Sequence, residues 1–205
     1  MSTLLASHSI LIIIITVAIS LVAFSQRRVL DNLIFWGPAV QRGEYYRLFT
    51  YGFVHTDGFH LLFNMMTLFF FGRILEVFYR QFAFEMGFAL FYLGGLFVSI
   101  LPSYFKHKNN PQYLSLGASG AVSAVLFAYI LFQPWKLIFV FFIPMPAIIF
   151  AVLYVGYSVW ASKKNNDHIN HDAHLWGAAY GIIMTIILEP NIVPYFFSQL
   201  LNPRF

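Results

Sequence analysis

A chain of 205 residues that is 60% hydrophobic and only 10% charged, with a mean hydropathy of +0.72, lacks the polar residues of a soluble domain, about 25% of which are charged. Its 25 Phe and 12 Tyr exceed what one soluble core of this size encloses, so the bilayer is the solvent. The net charge of +4, from 12 basic and 8 acidic residues, is too small and scattered for nucleic acid, and the absence of Cys excludes disulfides, thiolate chemistry and Cys-ligated metals.

The apolar run SILIIIITVAISLVAF predicts a first membrane crossing over residues 8–25. A cleaved signal peptide fits less well, because no basic residue precedes the run and its 16 residues exceed the usual apolar core of such peptides. Residues 26–56 mix Arg27, Arg28, Asp31, Arg42, Glu44 and Arg47 with Leu33, Phe35, Trp36, Tyr45 and Tyr46. That alternation predicts an element lying in the membrane interface. Five further crossings are predicted over 57–79, 83–103, 116–133, 137–160 and 172–189. The second and sixth crossings carry Asp57, His60, Asn64 and Asp172, His174 near their starts, so they belong inside the bundle. Pro144 and Pro146 would interrupt the fifth crossing near its middle. Pro190, Pro194 and Pro203 make residues 190–205 a poor seventh helix, best placed along the interface. No internal repeat is evident, and a single domain over 1–205 follows. The fold class is an all-α polytopic membrane protein, a bundle of six transmembrane helices.

Successive crossings alternate in direction, so the second, fourth and sixth begin on one face. The second opens with His60 and Asn64, the fourth with Gly117, Ser119 and Gly120, and the sixth with His171 and His174. At 1.5 Å per residue these lie within about 10 Å of one membrane face. Small residues at Gly120, Ala124 and Ala128 and at Ala173, Gly177 and Gly181 form two stripes that let the fourth and sixth helices approach closely. Such packing would bring the Ser119 hydroxyl to the His174 imidazole. His60 and Asn64 are four apart on one helix face, and both can donate hydrogen bonds. A serine, a base and two donors are the parts of acyl transfer.

Each residue alone has a plainer reading as helix packing or interhelical glue; three sets at one depth favour catalysis. A transporter would carry polar residues along the whole depth, whereas these helices turn apolar after their first turns. HINHDAH offers a metal alternative through His168, His171 and His174 with Asp167 and Asp172. The first and third histidines are rotated by about 120° on an ideal helix, so they converge poorly, and no metal or other cofactor is expected.

HLLFN at 60–64, GASG at 117–120 and AHLWGAAYG at 173–181, in this order, resemble the rhomboid intramembrane serine proteases. The resemblance runs from GEYYRLFTYGFVH at 43–55 through the sixth crossing. It implies that Ser119 is the nucleophile and His174 the general base, without a third acid. His60, Asn64 and the Ser119 backbone N–H would stabilise the oxyanion, and Gly177 and Gly181 would serve close packing beside Gly117 and Gly120. Arg47 resembles the arginine of the family's interfacial loop. Substrates would be single-pass transmembrane proteins cut where their helix unwinds, with the fifth helix as a lateral gate. No nucleic acid partner is implied, and no oligomeric state is marked. A catalytically dead relative that binds membrane proteins is the alternative; loss of Ser119 or His174 would be its mark, and both are present.

Two features depart from the family. Some relatives stack an aromatic residue, one turn after the serine, on the catalytic ring; here that position is Ser123. The family orientation also places the N-terminus in the cytoplasm of a cell membrane and the site toward the other side. Counting basic residues gives eight on the site's face and four opposite, which the positive-inside rule reads the other way. Four of the eight lie in the interfacial segment 26–56, and the family orientation is the one expected here.

Overall fold

The computed structural model describes residues 7–82, 85–140, 142–164 and 169–203. Helix α1 (His8–Ser25) turns Ser9, Ile12, Thr16, Ser20 and Ala23 inward and leaves Leu11, Ile14, Leu21 and Val22 exposed. Small and polar residues inside with large apolar residues outside is the arrangement lipid favours. The interfacial segment folds into α2 (Arg27–Leu33), β1 (Phe35–Trp36), α3 (Gly37–Gln41), α4 (Arg47–Thr50) and a 3₁₀ turn, Tyr51–Phe53. Arg47 holds this segment together and is only 6% exposed. Its guanidinium donates to the Asp31 and Ile34 carbonyls, each at 2.8 Å, and to the Glu44 carboxylate at 2.7 Å. The Arg47 bond, with Tyr46 second, draws the Glu44 carboxyl below its ordinary pKa.

Helix α5 (Gly58–Arg80) contains a π-helical segment, Leu68–Gly72. Its buried Glu76 accepts hydrogen bonds from the Ser7 and Ser9 hydroxyls and from the His8 and Ser9 backbone N–H groups. That carboxylate satisfies the otherwise orphaned donors at the start of α1. Helix α6 (Gly87–His107) is followed by β2 (Leu114–Ser115), which pairs antiparallel with β1 through Phe35 with Ser115 and Trp36 with Leu114. Helix α7 (Ser119–Phe132) is the hub, with every residue from Gly120 to Leu131 buried. Helices α8 (Ala147–Lys164) and α9 (His171–Leu188) follow, and α10 (Ile192–Leu201) leaves α9 at a bend of 114°.

By length and composition α1, α5 and α6 can each cross a membrane, and a fourth span arises if α9 and α10 count as one bent element. Of the other expected crossings the sixth keeps its 18 residues, whereas the fourth and fifth are shorter than predicted. Positive φ at Gly117 delays the start of α7, leaving 14 residues, about 21 Å at 1.5 Å per residue. Residues expected to begin the fifth crossing instead form a hairpin, β3 (Leu137–Val140) with β4 (Ile143–Pro146). Pro144 and Pro146 sit in β4, not in a helix interior; a proline there would clash with the preceding turn and remove a hydrogen bond. Residues 192–201 form a helix despite Pro194, because a proline in the first turn needs no intrahelical N–H bond.

Candidate active site

Three elements converge on one cavity of about 1080 Å³, lined by Thr56, Asp57, His60 and Asn64, by Gly117, Ser119 and Ser123, and by His171, Asp172 and His174. Convergence begins with packing. A Cβ on Gly177 would overlap the Gly120 carbonyl oxygen, and one on Gly181 would overlap the Ala124 carbonyl oxygen. Helices α7 and α9 thus touch backbone to backbone along the two small-residue stripes. The result is a hydrogen bond between His174 Nε2 and Ser119 Oγ at 2.7 Å.

Ser119 is the first residue of α7, so its hydroxyl stands at the positive end of the helix dipole. The turn before it needs glycine. Gly117 has φ +110°, and a Cβ there would press on the His60 ring. Its N–H donates to the Tyr51 carbonyl at 2.9 Å, and the Tyr51 hydroxyl donates to the Leu96 carbonyl on α6 at 2.8 Å. His60 sits in the first turn of α5, which Asp57 caps by accepting its N–H at 2.8 Å. That bond, first among its causes, lowers the Asp57 carboxyl below its ordinary pKa. Asn64 is buried and uses one amide hydrogen to bond the His60 carbonyl at 2.9 Å. Asn170 caps α9, accepting from Ala173 N–H while its amide donates to Ser115 at 3.1 Å.

Gly120 and Gly177 lie in the helix contact, whereas Gly117 serves the serine turn and His60. His171 is buried, with its ring 5.8 Å from that of His174 and 79° from its plane. Among the described residues no three His, Asp or Glu side chains gather as a metal site would require. His168 and Asp167 of the histidine-rich alternative lie outside those residues.

The Rhomboid domain family matches residues 42–191. The chain belongs to the rhomboid family. Similar proteins include the Arabidopsis thaliana RHOMBOID-like protein 12, mitochondrial, 30% identical over 172 residues, which cover 78% of this chain and 51% of that protein. RHOMBOID-like protein 1 of the same plant is 30% identical over 80% of this chain and 40% of its own length. YdcA of Bacillus subtilis (strain 168), provisionally named a rhomboid protease, is 27% identical over 77% of this chain and 74% of its own. The chain thus matches about half or less of the two plant relatives' length. With its apolar helices, this rhomboid is a multi-pass membrane protein.

Two residues of the site escaped sequence reasoning. His55, buried just ahead of α5, accepts the Ala118 N–H on Nε2 at 3.3 Å, and its Nδ1 lies 3.0 Å from Ser20 Oγ. The Ser20 hydroxyl donates to the Phe53 carbonyl, so His55 donates from Nδ1 and ties α1 to the residue before Ser119. A histidine five residues before His60 was the available signal. The other residue is Tyr154, whose ring stacks 5.9 Å from that of His174.

Burial, with the His60 ring second, pushes the His55 imidazole down to about 3. The unfolded chain takes up this proton near about 6.5. Stability contributed by neutral His55 is therefore complete above about pH 6.5 and is lost as pH falls toward 3. The unfolding temperature in detergent is expected to drop across that window. A His55→Gln variant, which keeps a donor and an acceptor but cannot titrate, should show a flatter profile; equal slopes in the two proteins would assign the acid sensitivity elsewhere.

Proposed function

We propose that this rhomboid is an intramembrane serine endopeptidase acting through a Ser119–His174 dyad. The observation that carries this reading is the 2.7 Å contact between the serine hydroxyl and the imidazole inside a cavity reaching a polar mouth. With its proton on Nδ1, His174 takes the Ser119 hydroxyl proton on Nε2 as Oγ attacks the scissile carbonyl carbon. Negative charge then builds on the carbonyl oxygen beside His60, Asn64 and the Ser119 N–H at the α7 N-terminus. The imidazolium returns its proton to the leaving amine, and the C–N bond breaks. Water, activated by the same imidazole, next hydrolyses the acyl-enzyme and restores Ser119.

Polar residues Lys106, Asn110, Gln112 and Asp172 at the mouth support access of that water. Phe63, Leu126 and Phe150 also line the cavity, which suits an apolar substrate segment. Single-pass membrane proteins are the substrates in this reading, because a helical peptide bond must unwind before its carbonyl can be attacked. Helix α8 is the proposed lateral gate. In the same reading one domain spans the bilayer six times through α1, α5, α6, α7, α8 and α9, with no cofactor. Its site faces the non-cytoplasmic side of a cell membrane; the mitochondrial relative sets an organellar membrane as the alternative.

The test is cleavage of a single-span peptide rich in Gly and Ala, co-reconstituted with the protein in liposomes. Two fragments whose masses sum to the substrate plus one water are expected. Intact substrate with folded protein would overturn the reading in favour of binding without proteolysis. Asn64→Ala should lower kcat by roughly 10²–10³-fold, the effect of losing one oxyanion donor, with little change in KM. Unchanged turnover would remove Asn64 from the mechanism.

A further inference from the structure

Helix α8 buries only small residues, Ala147, Ala151, Ser158 and Ala161. With Tyr154 they make one continuous stripe at spacings of four, three, four and three, the inward face of a helix. Tyr154 is the only large side chain on it. The opposite face is apolar and open to lipid, with Val152 65% and Trp160 53% exposed. Beside this stripe Ile148 and Phe150 pack partly buried against the core and Tyr157 meets the His171 ring edge-on at 5.5 Å, and Tyr154 is the large side chain at the stripe's centre.

That one side chain reaches the dyad. Its ring lies 5.9 Å from the His174 ring, with planes 22° apart, a stacked pair. Its hydroxyl shares a 2.5 Å hydrogen bond with Ser123 Oγ. Ser123 lies one turn after Ser119 on α7, so the same helix supplies the nucleophile and the latch for the ring behind the base. Phe127 and Phe150 flank the tyrosine ring at 5.6 and 5.4 Å. The imidazole is thereby held between Ser119 Oγ on one side and an aromatic plane carried by a different helix.

We propose that Tyr154 is the positioning residue for His174, that Ser123 latches it, and that proton transfer in the dyad therefore depends on α8 being seated. Moving α8 outward to admit a substrate would withdraw the ring and loosen the imidazole; reseating it would restore the base. This rests on the dyad reading above and adds a coupling between the lipid-facing helix and the chemistry. Misplacing a base costs up to about a hundredfold in rate without touching the nucleophile.

The experiment measures the rate at which a small fluorophosphonate labels Ser119 in detergent, together with kcat and KM on the liposome substrate. Tyr154→Leu, which removes the ring, is expected to slow labelling and kcat about ten- to a hundredfold with KM little changed. Tyr154→Phe keeps the ring and loses the latch; so does Ser123→Ala. Both should fall by only about threefold, and the double variant should fall no further than either single one. Unfolding temperature reports whether each variant is folded, and Tyr154→Phe remains decisive should the leucine variant fold poorly. Labelling of Tyr154→Leu at the wild-type rate would overturn the brace while leaving proteolysis standing. A rate loss in Tyr154→Phe as deep as in a folded Tyr154→Leu would overturn the role given to the ring. A wild type that is not labelled at all would overturn the dyad reading and the brace with it.

Discussion

Replacing Ser119 with alanine is expected to abolish cleavage of a membrane-spanning substrate, a loss on the order of 10⁶-fold in kcat, while the protein stays folded. The asymmetry follows from the site's construction. In the proposed mechanism the hydroxyl is the atom that forms the acyl bond, and it is the one held at 2.7 Å from His174 Nε2. The fold, by contrast, is held by groups around that hydroxyl. Gly117 is fixed through Tyr51, Ala118 through His55, and Gly120 by backbone contact with Gly177. Removing one partly exposed hydroxyl costs about 1 kcal/mol of stability or less. His174→Ala should match it in activity, and the double variant should be no worse than either, because the two act as one unit. Cleavage by Ser119→Ala at a tenth of the wild-type rate would place the nucleophile elsewhere.

Gly177→Val is expected to have the largest effect on the fold. Its new Cβ would lie on the Gly120 carbonyl oxygen, a backbone atom that cannot rotate away as a side-chain end can. Relief requires α9 to move off α7, which also pulls His174 from Ser119. The cost should be about 3 kcal/mol or more, at the upper end of overpacking, with activity lost in parallel. Gly156→Ala on α8 is the matched control, since nothing lies within 4 Å of the added carbon. It should gain up to about 1 kcal/mol from helix propensity. Thermal unfolding in detergent reads both; similar midpoints for Gly177→Val and the wild type would refute the backbone contact.

The motifs were legible because bilayer chemistry is restrictive. Polar residues at the starts of the second, fourth and sixth crossings had little reason to be there except to meet, and the glycine stripes marked the helices that meet most closely. Long apolar runs hid the rest. Residues 137–146 read as the start of a crossing because Ile, Phe and Val serve a buried helix or a hairpin equally, and only Pro144 and Pro146 hinted at the break. Gly117 could not reveal from sequence that its φ is positive and that α7 therefore begins at Ser119, three residues after the expected start. Ser123 read as a missing aromatic. Its neighbour in space, Tyr154, fills that place from 31 residues away, a contact that no local spacing encodes. His55 was hidden for the same reason, its partners Ser20 and Ala118 being distant in the chain.

The measurement that reaches the central claim most directly is the intact mass of the detergent-purified protein after treatment with a fluorophosphonate, beside Ser119→Ala and His174→Ala. Attack by Ser119 Oγ on phosphorus with loss of fluoride should give one adduct on the wild type and none on either variant. A folded wild type that keeps its original mass, or an adduct that persists in Ser119→Ala, would contradict an activated serine at this site.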